Sequence, residues 1–168
     1  MVSKYIFYTI DAVKIDQKTC FLHANLLFYV KCDTIINVLY PSIYSYSQDI
    51  PKWIKKDGIG LALILTLGFV QEFDRAEKAN VDLYSLIQEE PMPTGHNGMD
   101  ALLAGLIEWS CYNKKLLVPS WVNKDRFFAK PILHAFDTIG KTQYTIAHTP
   151  LAFFRHGVWI EKSSLQYI

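Results

Sequence analysis

The chain has 168 residues, of which 51% are hydrophobic and 20% charged, and its formal net charge is +1. This length fits one domain with a packed core, and the composition argues against intrinsic disorder. The balanced charge predicts no basic surface for direct binding of nucleic acid or of an acidic membrane. The longest apolar run, Ile59 to Val70, is shorter than the roughly 20 residues of a membrane-spanning helix.

The cysteines are Cys20, Cys32 and Cys111, an odd number placed far apart. We expect free thiols and a reducing, cytoplasmic location. The Cys20-x-x-His23 spacing lacks a second close pair of ligands, so no metal site is predicted. Glycine motifs for binding phosphates or dinucleotides are incomplete or missing, so no cofactor is predicted.

The composition changes near Gln48 to Pro51. Residues 1–47 are rich in Tyr, Phe, Ile, Val and Thr, which is typical of strands, and the stretch "YPSIYSYSQDIP" predicts a loop. We therefore divide the chain into an N-terminal segment, 1–48, that is β or irregular, and a helical globular domain, 49–168. The predicted fold is mostly α, a compact multi-helix domain. The composition change also leads to the hypothesis that residues 1–48 are a non-native extension, which the intact mass of the native protein tests.

Helical periodicity begins at Pro51, and the apolar run Ile59 to Val70 predicts a buried core helix. One face of this helix contains Leu61, Ile64, Leu65, Phe69 and Phe73, and a second contains Leu63, Leu67 and Val70. Asn80 is predicted to cap a following short helix that ends before Pro91.

The stretch "EEPMPTGHNGMDALLAGLIEW" predicts a turn followed by a helix. Asn97 is the predicted N-cap, and Asp100, three residues later, is placed to bond back to the backbone N–H of the cap. The predicted buried stripe consists of Met99, Leu102, Leu103, Leu106 and Trp109. Small residues at Ala101, Ala104 and Gly105 would let a neighbouring element come close.

The last third of the chain contains further helix signals. Pro131 can begin a helix that Gly140 ends. Thr149 is a predicted N-cap with Pro150 in the first helical position, and Gly157 ends that helix. The final stretch, "VWIEKSSLQYI", predicts a short extended piece and one turn of helix.

Asp100 and Glu108 are the strongest candidates for chemistry. Eight residues apart on a helix, they are separated by about 12 Å along its axis, which is wide for two carboxylates that share a proton or a metal. A structural role is the main alternative, with Asp100 as a cap and Glu108 paired with Arg155 in a buried or interfacial ion pair.

His148, Arg155 and His156 lie in one short segment, where a histidine could act as a general base. No nucleophile is marked beside them, and Cys111 becomes one only if the fold brings His134 or His148 to it. Surface exposure and complementation of a helix dipole explain Arg155 and His156 without catalysis.

Four motifs in order, "PMPTG", "DALLAGLIE", "VPSW" and "PLAFFRHGVWI", resemble a family of small bacterial proteins. Some members form the C-terminal part of helix-turn-helix regulators, and others are encoded beside nucleotidyltransferase-type toxins. The resemblance covers about residues 63 to 165 and implies an antitoxin-like or regulatory role, without established catalytic residues. Matching positions that we expect to be structural or to mediate interaction are Thr94, Gly95, Asp100, Glu108, Trp121, Pro150, Phe153, Arg155 and Gly157.

The leading hypothesis is a non-enzymatic protein-interaction module, the antitoxin-like or regulatory partner in a bacterial toxin–antitoxin or mobile-element system. Its expected partner is a protein, either a toxin or a regulator, and neither nucleic acid nor membrane. One alternative is a small hydrolase or transferase that uses Asp100, Glu108, His148 and Arg155. A second alternative is a transcriptional regulator, although residues 1–47 show no helix-turn-helix pattern.

Overall fold

The computed structural model describes residues 40–135 and 142–165, and these residues form a mostly helical domain, as predicted. Its α-helices are α1, Ile43–Leu67; α2, Phe69–Lys78; α3, Asn97–Lys114; α4, Thr142–His148; and α5, Leu151–Arg155. Short 3-10 helices span Tyr84–Leu86, Ser120–Asn123, Asp125–Phe127 and Lys162–Leu165. Two short strands, β1, Leu133–His134, and β2, Val158–Trp159, pair in parallel.

Helix α1 begins earlier than the sequence indicates, so the predicted loop around residues 40–51 is wrong. Ser42 caps the helix, because its hydroxyl accepts a hydrogen bond from the backbone N–H of Ser45. Pro51 lies inside the helix rather than at its start. The helix runs across the predicted boundary at 48/49, and the earlier residues, 1–39, lie outside the described part of the chain.

The apolar run Ile59 to Val70 is only partly a core helix. Helix α1 is kinked at Gly58, where φ is 83° and ψ is 168°. Beyond the kink, Leu63 and Leu67 are buried, as predicted for one face of the helix. The opposite face contains Leu61, Ile64 and Leu65, and these side chains are exposed, as is Ile59 next to the kink.

Helix α3 is the centre of the core. Nearly every residue from Gly98 to Cys111 is buried, so the predicted single stripe extends around the helix. The close approach predicted at the small residues of α3 is confirmed at Gly105. A Cβ at this position would lie 2.8 Å from Cδ1 of Phe153 in α5. The side chains of Trp121 and Phe127 also belong to this core, and their rings are 4.9 Å apart.

The predicted N-caps Asn80 and Thr149 are wrong. Asn80 has a φ of 57° just after the end of α2, and Asp82 accepts the bond from the Tyr84 N–H instead. Thr149 does not cap α5, because its hydroxyl donates to the Thr145 carbonyl and accepts from the Ile160 N–H. The N-cap of α5 is Pro150, which the sequence predicts in the first helical position.

The helix predicted from Pro131 is wrong over residues 131–135, which contain strand β1 instead. The backbone N–H of Leu133 donates to Gly157, and that of Ala135 donates to Trp159. This pairing with β2 outweighs the local preference of a proline for the first turn of a helix. The extended piece and final helical turn predicted after Gly157 are confirmed. Residues 136–141, which hold the rest of the predicted helix, lie outside the description.

No helix in residues 40–135 and 142–165 combines the length and the apolar content that crossing a membrane requires.

Candidate functional site

Glu108 is the centre of a buried cluster of polar side chains. It projects from the middle of α3, and only 3% of its side chain is exposed. The predicted ion pair with Arg155 is present, at 3.1 Å between Nη2 and Oε2. The hydroxyl of Tyr112, one turn further along α3, donates to Oε1 at 3.2 Å.

His156, which we expect at the surface from its sequence context, also belongs to this cluster. Its ring is fully buried, so the expectation of exposure is wrong. Nε2 lies 2.9 Å from Oε2 of Glu108, and Nδ1 lies 2.8 Å from the carbonyl oxygen of Phe127. The ring of Phe128 packs against the imidazole, with 4.8 Å between the centroids.

The turn that follows α5 explains why His156 is buried. Gly157 has a φ of 72°, which reverses the chain as predicted and sends it into β2. The carbonyl of His156 then accepts a bond from the N–H of Ala129 at 2.8 Å. The histidine is thereby held between α3 and the 3-10 helix Asp125–Phe127, while Arg155 stays at the edge with 42% of its side chain exposed.

Asp100 organises a different part of the molecule, the turn before α3. Its Oδ1 accepts from the backbone N–H of Thr94 at 2.9 Å, and Oδ2 lies 3.9 Å from Arg126 Nη1. The predicted bond to the cap is wrong, because His96 caps α3 by accepting from the N–H of Met99. Asn97, the predicted cap, instead contacts the segment 126–130 with its side chain.

Arg126 fixes the proline-rich turn beside Asp100. It donates to the carbonyl of Pro91 and forms an ion pair with Glu90 at 3.2 Å. The guanidinium also lies over the ring of Phe127, 4.1 Å from its centroid. Lys124 contacts the same Glu90, and these positive partners lower the pKa of its carboxyl group, with the hydrogen bond from Lys124 as the largest cause.

The four residues of the hydrolase hypothesis do not form one cluster. In the described part of the chain, Asp100 contacts Thr94 and Arg126, whereas Glu108 contacts Tyr112, Arg155 and His156. His148 lies at the exposed end of α4. Its ring stacks on Tyr144 at 3.9 Å, and Nδ1 lies 2.8 Å from the carbonyl oxygen of Tyr144.

The other candidate residues are buried or make contacts that stabilise the fold. Burial raises the pKa of the Cys111 thiol to about 11, and the thiol contacts the carbonyl of Leu117, so it is a poor nucleophile at neutral pH. The indole N–H of Trp121 donates to the carbonyl of Ile87 at 2.9 Å. Phe153 is fully buried against α3. Thr94 is buried, and Gly95 next to it has a φ of 77°.

Sequence reasoning missed Tyr112, Arg126 and the burial of His156. Tyr112 had a signal, because it lies four residues after Glu108 on the same helix. Arg126 and His156 had none, because their contacts join segments that are about 30 residues or more apart in the chain.

Comparison of this chain with protein-family models, with curated proteins and with solved structures finds no match.

Proposed function

We propose that this chain is a non-enzymatic protein-interaction module that binds a partner protein through the second half of α1. The observation that carries the proposal is an exposed aliphatic surface, which we call the α1 face and define as Leu61, Ile64 and Leu65. Their exposed fractions are 41%, 43% and 38%.

The arrangement of the α1 face fits helix-in-groove recognition. Leu61, Ile64 and Leu65 follow the spacing i, i+3 and i+4, which places them on one side of the helix. Burying apolar surface gains roughly 25 cal/mol per Å², so large aliphatic side chains grouped on a surface mark contact sites. A partner with a complementary apolar helix or groove would cover them.

The polar cluster supports a role without catalysis. A general base must reach the proton that it removes from a substrate. Glu108 is buried and already contacts three polar side chains, and His156 is completely enclosed. Asp100 bonds within its own turn. These contacts favour a structural role for the carboxylates over the hydrolase or transferase alternative.

The partner that we propose is a toxin or a regulator of the kind with which the resembling family is associated. The motifs behind that resemblance fall on elements that shape the domain: the turn before α3, the buried part of α3, the 3-10 helix around Trp121, and α5. An antitoxin-like protein has to bind its toxin, and the α1 face offers a surface for that contact.

A pull-down of the tagged full chain tests this function. The bait is incubated with native-host lysate, treated with nuclease and washed at moderate salt. We expect one stoichiometric protein partner, and we expect Leu61→Asp with Ile64→Asp to weaken its binding at least about tenfold, since buried anchors cost more than about 1 kcal/mol each. Co-expression with a toxin partner should restore growth for the wild type and not for this variant.

The matched control is Leu117→Asp with Leu151→Asp, which changes two exposed leucines away from α1. This control should retain the partner and the growth rescue, and both double variants should keep the wild-type melting temperature within a few degrees. Equal loss of binding in both variants, or a wild-type bait that retains no partner, would contradict the proposal.

A further inference from the structure

The imidazole of His156 faces a hydrogen-bond acceptor at each of its nitrogens. Nδ1 is 2.8 Å from the carbonyl oxygen of Phe127, and Nε2 is 2.9 Å from Oε2 of Glu108. The ring is fully buried and Glu108 nearly so, which leaves the partners of the ring within the protein. The contacts therefore indicate which of the two ring nitrogens and the Glu108 carboxyl group carry a hydrogen.

A carbonyl oxygen only accepts, so Nδ1 must carry a hydrogen to bond to Phe127. A neutral imidazole then has a lone pair on Nε2. If Glu108 were also ionised, that lone pair would face a carboxylate oxygen at 2.9 Å with no hydrogen between them. A buried contact of this kind between two acceptors is unfavourable, because neither atom is satisfied.

We propose that Glu108 and His156 together retain one proton in the folded protein at neutral pH, held between Oε2 of the carboxyl group and Nε2 of the ring. Two arrangements contain this proton. In one, an imidazolium donates to a carboxylate, and in the other, a carboxylic acid donates to a neutral ring. Both have zero net charge, and in both the titration belongs to the pair.

Two further polar side chains contact Glu108. Nη2 of Arg155 in α5 lies 3.1 Å from Oε2, and the hydroxyl of Tyr112 in α3 donates to Oε1. The pKa of His156 is lowered overall, mainly by burial of the ring and also by the charge of Arg155, although the bonds with Phe127 and Glu108 act in the opposite direction. In the arrangement with the proton on Glu108, the ring is neutral, Nδ1 still donates to Phe127, and the carboxyl group donates to Nε2.

The retained proton links folding to pH with a definite sign. In the unfolded chain the histidine loses its proton above about pH 6.5, whereas the folded pair keeps it. Unfolding then releases one proton, so its equilibrium constant rises about tenfold for each pH unit above that value, until the folded pair itself deprotonates. The stabilisation is complete below about pH 6.5 and is lost as the pH rises.

Urea unfolding of the full chain between about pH 6 and pH 8 tests the proposal, with Glu108→Gln as the matched variant. The carboxamide keeps the shape of the side chain, and its N–H can donate to a neutral ring without an extra proton. We expect the ratio of the two unfolding constants, wild type over variant, to rise by up to about tenfold per pH unit. Parallel pH profiles would overturn the proposal. So would a relative loss of wild-type stability towards acid, which a ring held neutral without a shared proton predicts.

Calorimetric proton counting keeps the test decisive if Glu108→Gln does not fold. The wild type is unfolded at about pH 7.5 in buffers that differ in their heat of ionisation, below the usual pKa of about 8.5 for an unfolded thiol such as Cys111. Release of about one proton supports the retained proton. No release, or net uptake, overturns it.

Discussion

Replacing Glu108 by alanine is expected to lower the free energy of unfolding by about 3 to 5 kcal/mol. The substitution removes the protein partner of a completely buried imidazole nitrogen. The contribution of Arg155 is smaller, because its side chain is 42% exposed and also donates to Asn123. Most of the loss therefore comes from the unsatisfied contact with His156 and from the space left beside α3.

Thermal unfolding measures this loss, which corresponds to a fall in melting temperature of roughly 10 °C in a chain of this size. Glu89→Ala is the control, because Glu89 is exposed and its removal should change the free energy by less than about 0.5 kcal/mol. Glu108→Gln should lie between the two, because the carboxamide keeps hydrogen-bonding capacity. An unchanged melting temperature of Glu108→Ala would reject the structural role of the cluster.

The elements that the sequence predicts well are those specified by local patterns. Helix α3 follows from its dense apolar residues, and the close contact at Gly105 follows from its small residues. The reversal at Gly157 follows from a glycine placed after Arg155 and His156. The Glu108–Arg155 pair was predicted because a glutamate in an apolar helix needs a partner of opposite charge.

The wrong predictions depend on contacts between distant segments. His96, rather than Asn97, caps α3 because Asn97 is occupied by the segment 126–130. Local sequence also gave no way to separate the two sides of α1 beyond Gly58, since both are aliphatic and only packing decides which side is covered. The burial of His156 likewise appears only once the chain has turned back at Gly157.

Replacing Gly157 by alanine is expected to lower the free energy of unfolding by about 3 kcal/mol. Part of this loss, about 1 to 2 kcal/mol, comes from the left-handed backbone, since φ is 72° and a Cβ disfavours that region. The rest comes from a clash, because the new Cβ would lie 2.8 Å from the backbone oxygen of Ala129. The backbone cannot yield there without disturbing the bond from the Ala129 N–H to the His156 carbonyl.

Gly95→Ala separates the two contributions. Gly95 has nearly the same φ, 77°, but a Cβ there would meet nothing within 4 Å. Only the backbone cost of about 1 to 2 kcal/mol is therefore expected for this variant. Urea unfolding of both variants gives the difference, which we assign to the close packing of the turn on Ala129. Equal losses would show that the turn at Gly157 can move away from Ala129, and the position of His156 would then not depend on that contact.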